Sequence, residues 1–207
     1  MTGDAPDPRP LPFTGAVLCG GGSRRMGRDK ALVVVDGRAL AVRVADTLRA
    51  AGAAGVVAVG GDAAALAALG LAVVPDDEPG AGPLAGIVTA LRHRPGPGDG
   101  VMFVAACDLV TPSPAAVRAT VAALGAEPGR DLTVPVAGGR RQWMHAAWRH
   151  RAGAPLAAAL AAGERAVHAA VAAAGLRVVE LAVPAAAVAD ADTPGDLPAG
   201  SGVRPGR

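Results

Sequence analysis

Short runs of Val, Leu and Ala recur at residues 16–19, 55–59, 71–74, 101–105, 131–136 and 176–183, separated by longer segments of helical character. Runs of four to eight apolar residues bounded by glycine, proline or aspartate read as strands buried on both faces. The intervening stretches 39–51, 63–69, 84–93 and 114–124 read as helices, because Gly, Pro or Asp stands where helices start or stop. Alternation of this kind predicts βαβ units, and hence an α/β, three-layer α/β/α sandwich around a doubly wound, mostly parallel, Rossmann-like sheet. One segment departs from it. Between Val134 and Arg151, Gly138-Gly139 separates two extended stretches, which predicts an antiparallel hairpin excursion hanging over the strand ends. Its two tryptophans, Trp143 and Trp148, are expected either to wall a second substrate pocket or to pack as plain hydrophobic residues.

Composition narrows the class. At 207 residues the chain suits one ordinary domain, expected to span 13–197, with Pro- and Gly-rich tails at 1–12 and 198–207. Although 51% of residues are hydrophobic, the apolar runs are interrupted, and none has the ~18 continuous apolar residues of a membrane span. A net charge of +2 with 2% aromatics gives no platform for stacking nucleic-acid bases. The N-terminus lacks a basic stretch followed by an apolar one, so a cytoplasmic location is expected. Cys19 and Cys107 are the only cysteines; both fall at strand ends and read as small buried hydrophobes.

The most informative stretch is Leu18-Cys-Gly-Gly-Gly-Ser-Arg-Arg-Met-Gly-Arg-Asp-Lys30, a glycine loop with cations directly after a strand. Glycine lets backbone N–H groups approach an anion closely, and Ser23, Arg24, Arg25, Arg28 and Lys30 add donors and positive charge. A triphosphate is the expected guest. Gly22 to Gly27 has the separation of a P-loop, but Arg28 and Asp29 stand where Lys and Ser/Thr should follow. A dinucleotide fingerprint starting at Gly20 would put its third glycine at Arg25.

Three acidic sites are expected on the same edge. Asp108 ends the run from Val101, and a carboxylate at the C-terminal edge of a parallel strand faces the ligand crevice, where a hard oxygen beside phosphates suits Mg²⁺. Asp76 opens a Gly/Pro-rich loop and could accept two hydrogen bonds from the guanine N1–H and amine. Asp190 and Asp192, two apart in an extended segment, point to one face, so either could complete a metal site. His145 reads as packed or exposed rather than as a catalytic base.

Taken together, Leu18-Cys-Gly-Gly21, Arg25-Met-Gly27, Asp29-Lys30, Asp76 before Gly82-Pro-Leu-Ala-Gly86, Cys107-Asp108, Ala162-Gly-Glu-Arg165, Asp192-Thr-Pro194 and Asp196-Leu197 resemble the molybdenum cofactor guanylyltransferases, within the larger MobA-like nucleotidyltransferase group. The resemblance covers most of the chain. It implies GTP bound by Leu18, Cys19, Gly20 and Gly21, with Lys30 on the phosphates and Asp76 and Gly82 contacting the nucleotide. Asp108 would bind GTP and Mg²⁺, with Asp192 a second metal candidate. The implied reaction joins GMP to the terminal phosphate of molybdenum-bound molybdopterin, and Arg25 and Lys30 would neutralise the pyrophosphate leaving group. Transient contact with molybdoenzymes or their chaperones is a further implication. Gly60, Asp192, Cys19 and Trp143 depart from common family residues, which bears on base choice and the acceptor pocket. The alternatives are a relative using CTP or a sugar or polyol phosphate acceptor, and a noncatalytic nucleotide- or cofactor-binding chaperone.

Overall fold

The computed structural model describes residues 11–20, 29–93 and 100–191. The chain opens with β1 (Phe13–Leu18). A single 3-10 turn, Lys30–Leu32, is capped by Asp29, whose carboxylate accepts the Ala31 N–H at 3.0 Å. A small hairpin follows, β2 (Val34–Val35) and β3 (Arg38–Ala39), and runs directly into α1 (Leu40–Ala50). Its turn residues Asp36 and Gly37 have φ of 51° and 76°, the left-handed pair that a two-residue hairpin requires.

Three strand–helix units then alternate as the sequence predicts: β4 (Val56–Val59) with α2 (Ala63–Ala68), β5 (Ala72–Val74) with α3 (Pro83–Arg92), and β6 (Val101–Ala106) with α4 (Pro114–Ala126). Local chemistry starts each helix. Asp62 and Ser113 accept the N–H of Ala65 and Ala116, and Pro83 and Pro114 occupy first-turn positions where a missing N–H costs nothing. The remaining elements are β7 (Leu132–Ala137), β8 (Arg140–Arg141), β9 (Ala147–Arg149), α5 (Gly153–Ala161), α6 (Val167–Ala173) and β10 (Val178–Ala182).

Among the described residues the main sheet has eight strands, in the order β10-β7-β9-β6-β1-β4-β5, with β8 paired to β7. All are parallel except β8 and β9. From β1 the chain steps outward to β4 and β5, then returns to place β6 on the other side of β1. The strand order therefore reverses between β1 and β6, and an open α/β sheet leaves its ligand crevice at the carboxyl ends of the strands flanking such a point.

Side-chain alternation builds the layers. Phe13, Val17, Phe103 and Ala105 point to one face and pack with Val44, Leu48, Val117 and Val121 of α1 and α4. Ala16, Leu18, Met102 and Val104 point to the other and meet Leu84 and Ile87 of α3 and Leu156 of α5. Leu11, expected in the N-terminal tail, packs against the first of these clusters; the other tail residues expected at 1–10 and 198–207 lie outside the described residues. No helix among the described residues is long and apolar enough to cross a membrane.

The predicted hairpin forms at Gly138-Gly139, both with positive φ, but its second arm is broken. β8 pairs with the end of β7, then a 3-10 turn, Trp143–His145, intervenes before β9. β9 reaches only the first halves of β6 and β7, pairing with residues 101–103 and 132–133. Beyond β9 the turn lies between the two strands, tied down by Val104 N–H to Ala146 O and Gln142 N–H to Pro135 O. Trp148 lies on β9 with no exposed surface, so it is a core residue and walls no substrate pocket.

At the opposite edge from the carboxyl ends, Asp131 holds the starts of β7 and β10 and the 3-10 turn His150–Ala152 before α5 together. Its oxygens accept from Arg151 Nε at 2.8 Å, Arg177 N–H at 2.8 Å and Arg177 Nε at 3.4 Å. Burial alone would push this carboxyl up, but those donors and the Arg151 charge outweigh it and hold it below its ordinary value. A depressed folded value means that the stabilisation is complete above the unfolded carboxylate range and is lost as pH falls through the folded value. Asp131→Asn is expected to cost about 2 kcal/mol at neutral pH, the scale of charge-assisted hydrogen bonds, with the difference from the native chain shrinking below about pH 4. Urea denaturation across pH measures this; a constant difference down to acid pH would contradict it.

Candidate active site

β1 and β6 run side by side in register, Leu18 opposite Ala106, so the residues that follow each strand emerge together. Cys107 donates its N–H to Leu18 O at 3.2 Å, and Cys19 and Gly20 donate to Val59 O at 2.9 and 3.2 Å. The ends of β1, β4 and β6 are thereby laced into one rim.

Across that rim Lys30 Nζ donates to Asp108 Oδ2 at 2.8 Å, with the two side chains only 18% and 16% exposed. Lys30 reaches this position because the first turn after residue 29 is capped by Asp29, and because the β2–β3 hairpin behind it is anchored. Val35 and Leu40 form a small separate core with Ala191, against which Val33 and Val110 pack. Asp108 sits one residue past the rim, in a turn held from two sides. Arg43 of α1 donates to Val110 O at 3.3 Å, while Val110 N–H and Ala191 N–H bind Ala189 O and Asp108 O at 2.9 Å each.

The third corner is built from Gly20, Gly60 and Asp76. Gly60 has φ 71°, and a Cβ there would stand 3.1 Å from Gly20 Cα and 3.4 Å from Asp76 Cβ. At this point a Cβ on residue 60 would press on the backbone of Gly20, and with the left-handed φ this accounts for glycine at position 60. A Cβ at Gly20 would lie 3.3 Å from Asp76 Oδ2, so this carboxylate borders the glycine loop as expected. Asp76 Oδ1 accepts from Thr89 Oγ1 at 3.3 Å and Glu78 N–H at 3.2 Å. Oδ1 is thus engaged by the protein itself, and Oδ2 is the oxygen that faces Gly20. Gly82 caps the N-terminus of α3 with φ 90° on the same loop, and α3 packs close enough that a Cβ at Gly86 would sit 3.3 Å from Leu18.

Of the expected site residues, Leu18, Cys19, Gly20, Lys30, Asp76, Gly82 and Asp108 thus gather at the C-terminal edge of the sheet. Gly21, Arg25 and Asp192 lie outside the described residues. Asp190 is brought to the site by an isolated bridge to Leu109, but its Oδ1 faces His145 Nε2 at 3.1 Å. His145, 3% exposed, is packed, and nothing local in the sequence marks its contact with a residue 45 positions away. Trp143 is partly buried under the Arg141 guanidinium, 5.7 Å from its ring centre, and Arg141 is itself paired with Glu180.

Among the described residues no group of three or more His, Cys, Asp or Glu could cage a metal ion. Asp108 instead offers hard carboxylate oxygen beside a cation and a glycine rim, a donor set that fits Mg²⁺ or Mn²⁺ carried in by phosphates better than a resident soft metal. The Cys107 thiol is not a candidate for nucleophilic work. A hydrogen bond with Cys19, then burial, then the nearby negative charges of Asp108 and Asp29 push the Cys107 thiol well above its ordinary range.

Comparison with known proteins bears on this arrangement. The family model of the MobA-like NTP transferase domain matches residues 15–178. A molybdenum cofactor guanylyltransferase of Rhizobium meliloti (strain 1021) is 37% identical over 152 residues, 72% of this chain and 67% of that protein. One of Cereibacter sphaeroides (strain ATCC 17029 / ATH 2.4.9) is 37% identical over 155 residues, 74% of this chain and 77% of its own. Among solved structures, molybdopterin-guanine dinucleotide biosynthesis protein A from Archaeoglobus fulgidus superposes with TM-score 0.69 at 26% identity, covering 88% of this chain and 94% of that one. Rv0371c from Mycobacterium tuberculosis H37Rv, in a complex with manganese, gives TM-score 0.68 at 21% identity over 90% of this chain and 96% of its own.

With its thiol kept protonated and 8% exposed, Cys107 is expected to react with iodoacetamide at pH 8 at least ~100-fold more slowly in the native chain than in the urea-unfolded one. Mass spectrometry of the labelled peptides measures this. Comparable labelling rates in the two states would contradict it.

Proposed function

This chain belongs to the MobA-like NTP transferase family, and from that premise we propose that it transfers GMP from GTP to the terminal phosphate of molybdenum-bound molybdopterin. The products would be molybdopterin guanine dinucleotide and pyrophosphate. The observation that carries the reading is the Lys30–Asp108 pair at 2.8 Å, set at the strand-order reversal and bordered by the Gly20–Gly60–Asp76 corner. Guanine and the pterin acceptor come from the names of the relatives; nucleotidyl transfer is what the residues themselves support.

In this reading an oxygen of the acceptor phosphate attacks the α-phosphorus of the triphosphate. A new P–O bond forms as the bond to the β-phosphate breaks, and pyrophosphate leaves with the electron pair. The attacking phosphate is already ionised, so no general base is needed. The obstacle is repulsion between two anions, which positioning and fixed positive charge must offset. Lys30 supplies that charge at the rim, and the sequence places Arg25 in the same loop for the same task. Asp108 would hold the divalent ion, which when bound neutralises charge on phosphate oxygens. The manganese-bound structural neighbour is in keeping with a divalent ion in this fold. Backbone N–H groups at Cys19 and Gly20 are spent on β4, so the phosphate-binding donors are assigned to Gly21 and the residues after it.

Lys30→Ala and Asp108→Ala are each expected to lower pyrophosphate release by at least ~100-fold, the scale of losing one transition-state electrostatic contact. Near-native release by both variants would overturn the mechanism. For substrate choice, pyrophosphate release is measured with GTP, CTP, ATP and UTP, each with and without molybdopterin. Release only with GTP and acceptor together is expected, and equal rates with CTP and GTP would remove the guanylyl assignment.

A further inference from the structure

The 3-10 turn Trp143–His145 fills the opening between β6 and β7 at the ligand edge, and its last residue points an almost fully buried imidazole at the far C-terminal segment. His145 Nε2 lies 3.1 Å from Asp190 Oδ1. Nδ1 is buried and has no partner among the described residues. A hydrogen on Nδ1 would be a buried donor without an acceptor, so the network assigns the ring hydrogen to Nε2, which donates to Asp190.

Asp190 is the centre of a short strap. Ala189 O accepts from Val110, Ala191 donates to Asp108 O, and Asp190 itself bridges Leu109, so residues 189–191 lie as an extra strand against the turn 108–110. Ala191, 1% exposed, is buried with Val35 and Leu40 behind Lys30. The strap therefore touches the supports of both members of the Lys30–Asp108 pair. Its own side-chain anchor is His145, at the end of the 3-10 turn between β8 and β9.

We propose that His145 is a positioning residue of this site: by holding Asp190 it fixes the strap 189–191, and through it the turn that presents Asp108. The inference rests on the reading of Asp108 as the ion- and nucleotide-bearing carboxylate, but not on which nucleotide or acceptor is used. It also assigns Asp190 to structure, since its Oδ1 is committed to the imidazole.

The test compares His145→Ala, His145→Gln, Asp190→Ala and the His145→Ala/Asp190→Ala double variant, all as the full chain. Gln carries an N–H that can replace the Nε2 donor. Amide hydrogen exchange of the apo-protein is expected to rise about tenfold or more at Val110 and Ala191 in His145→Ala, and to stay near native in His145→Gln. Affinity for Mn²⁺ with GTP, read by the free-ion electron paramagnetic resonance signal, is expected to fall roughly 10–100-fold in either Ala variant, the range for removing a residue that orients a metal ligand. The double variant should be no weaker than the worse single one, because both changes break one contact. Native exchange and native Mn²⁺ affinity in His145→Ala would overturn the proposal, as would losses that multiply in the double variant. So would a His145→Gln chain that melts like the native protein yet exchanges and binds as poorly as His145→Ala. If Asp108→Ala binds Mn²⁺ and GTP like the native chain, the functional reading fails, while the exchange data still judge the clamp on their own.

Discussion

An ammonium and a carboxylate held 2.8 Å apart, from residues 78 positions distant in sequence, set the requirement that the surrounding fold meets. Both groups are largely withdrawn from water, and a pair of this kind gains little net stability once desolvation is counted. Its value lies in keeping two opposite charges at one rim, one suited to phosphate and the other to a divalent ion. Register pairing of β1 with β6 brings the two chain segments together. The small core of Val35, Leu40 and Ala191 steadies the Lys30 side, and Arg43 and the 189–191 strap steady the Asp108 side.

The same residue type performs different work around the molecule, and environment decides which. Asp62 and Asp29 cap a helix and a turn, accepting one nearby N–H each. Asp131 is buried among arginine donors at the far edge and ties three elements together. Asp76 spends one oxygen on Thr89 and Glu78 and keeps the other beside Gly20. Asp190 faces a buried imidazole, and Asp108 faces Lys30. Among the described residues, only Asp108 and Asp76 combine a carboxylate oxygen with a place on the glycine-lined rim.

Much of the fold was legible because its signals are local. β1 and β6 are buried on both faces, so they read as unbroken apolar runs, and Asp62, Ser113 and Pro114 mark helix starts within a few residues. The position of Asp108 followed from a strand that simply runs out into a carboxylate. What the sequence could not disclose depends on contacts across the sheet. The turn between β8 and β9 is bound to Val104 of β6 and Pro135 of β7, contacts that nothing within residues 138–149 records. Trp148 and Trp143 look alike in sequence, yet one fills the core and the other lies under Arg141. That Thr89, on the next helix, engages one oxygen of Asp76 is likewise unmarked around residue 76. His145 and Asp190 are each unremarkable alone and acquire meaning only when the strap crosses the turn after β6.

The central claim is that the Lys30–Asp108 rim receives a nucleotide triphosphate together with its divalent ion. The most direct measurement is a crystal structure grown with Mn²⁺ and a GTP analogue that cannot be cleaved between its α and β phosphates, with the ion located by its anomalous signal. The account predicts the manganese peak bonded to a carboxylate oxygen of Asp108, with the phosphates beside Lys30 and the glycine loop. A nucleotide bound elsewhere on the fold, with the Lys30–Asp108 pair intact and no manganese at Asp108, would contradict it.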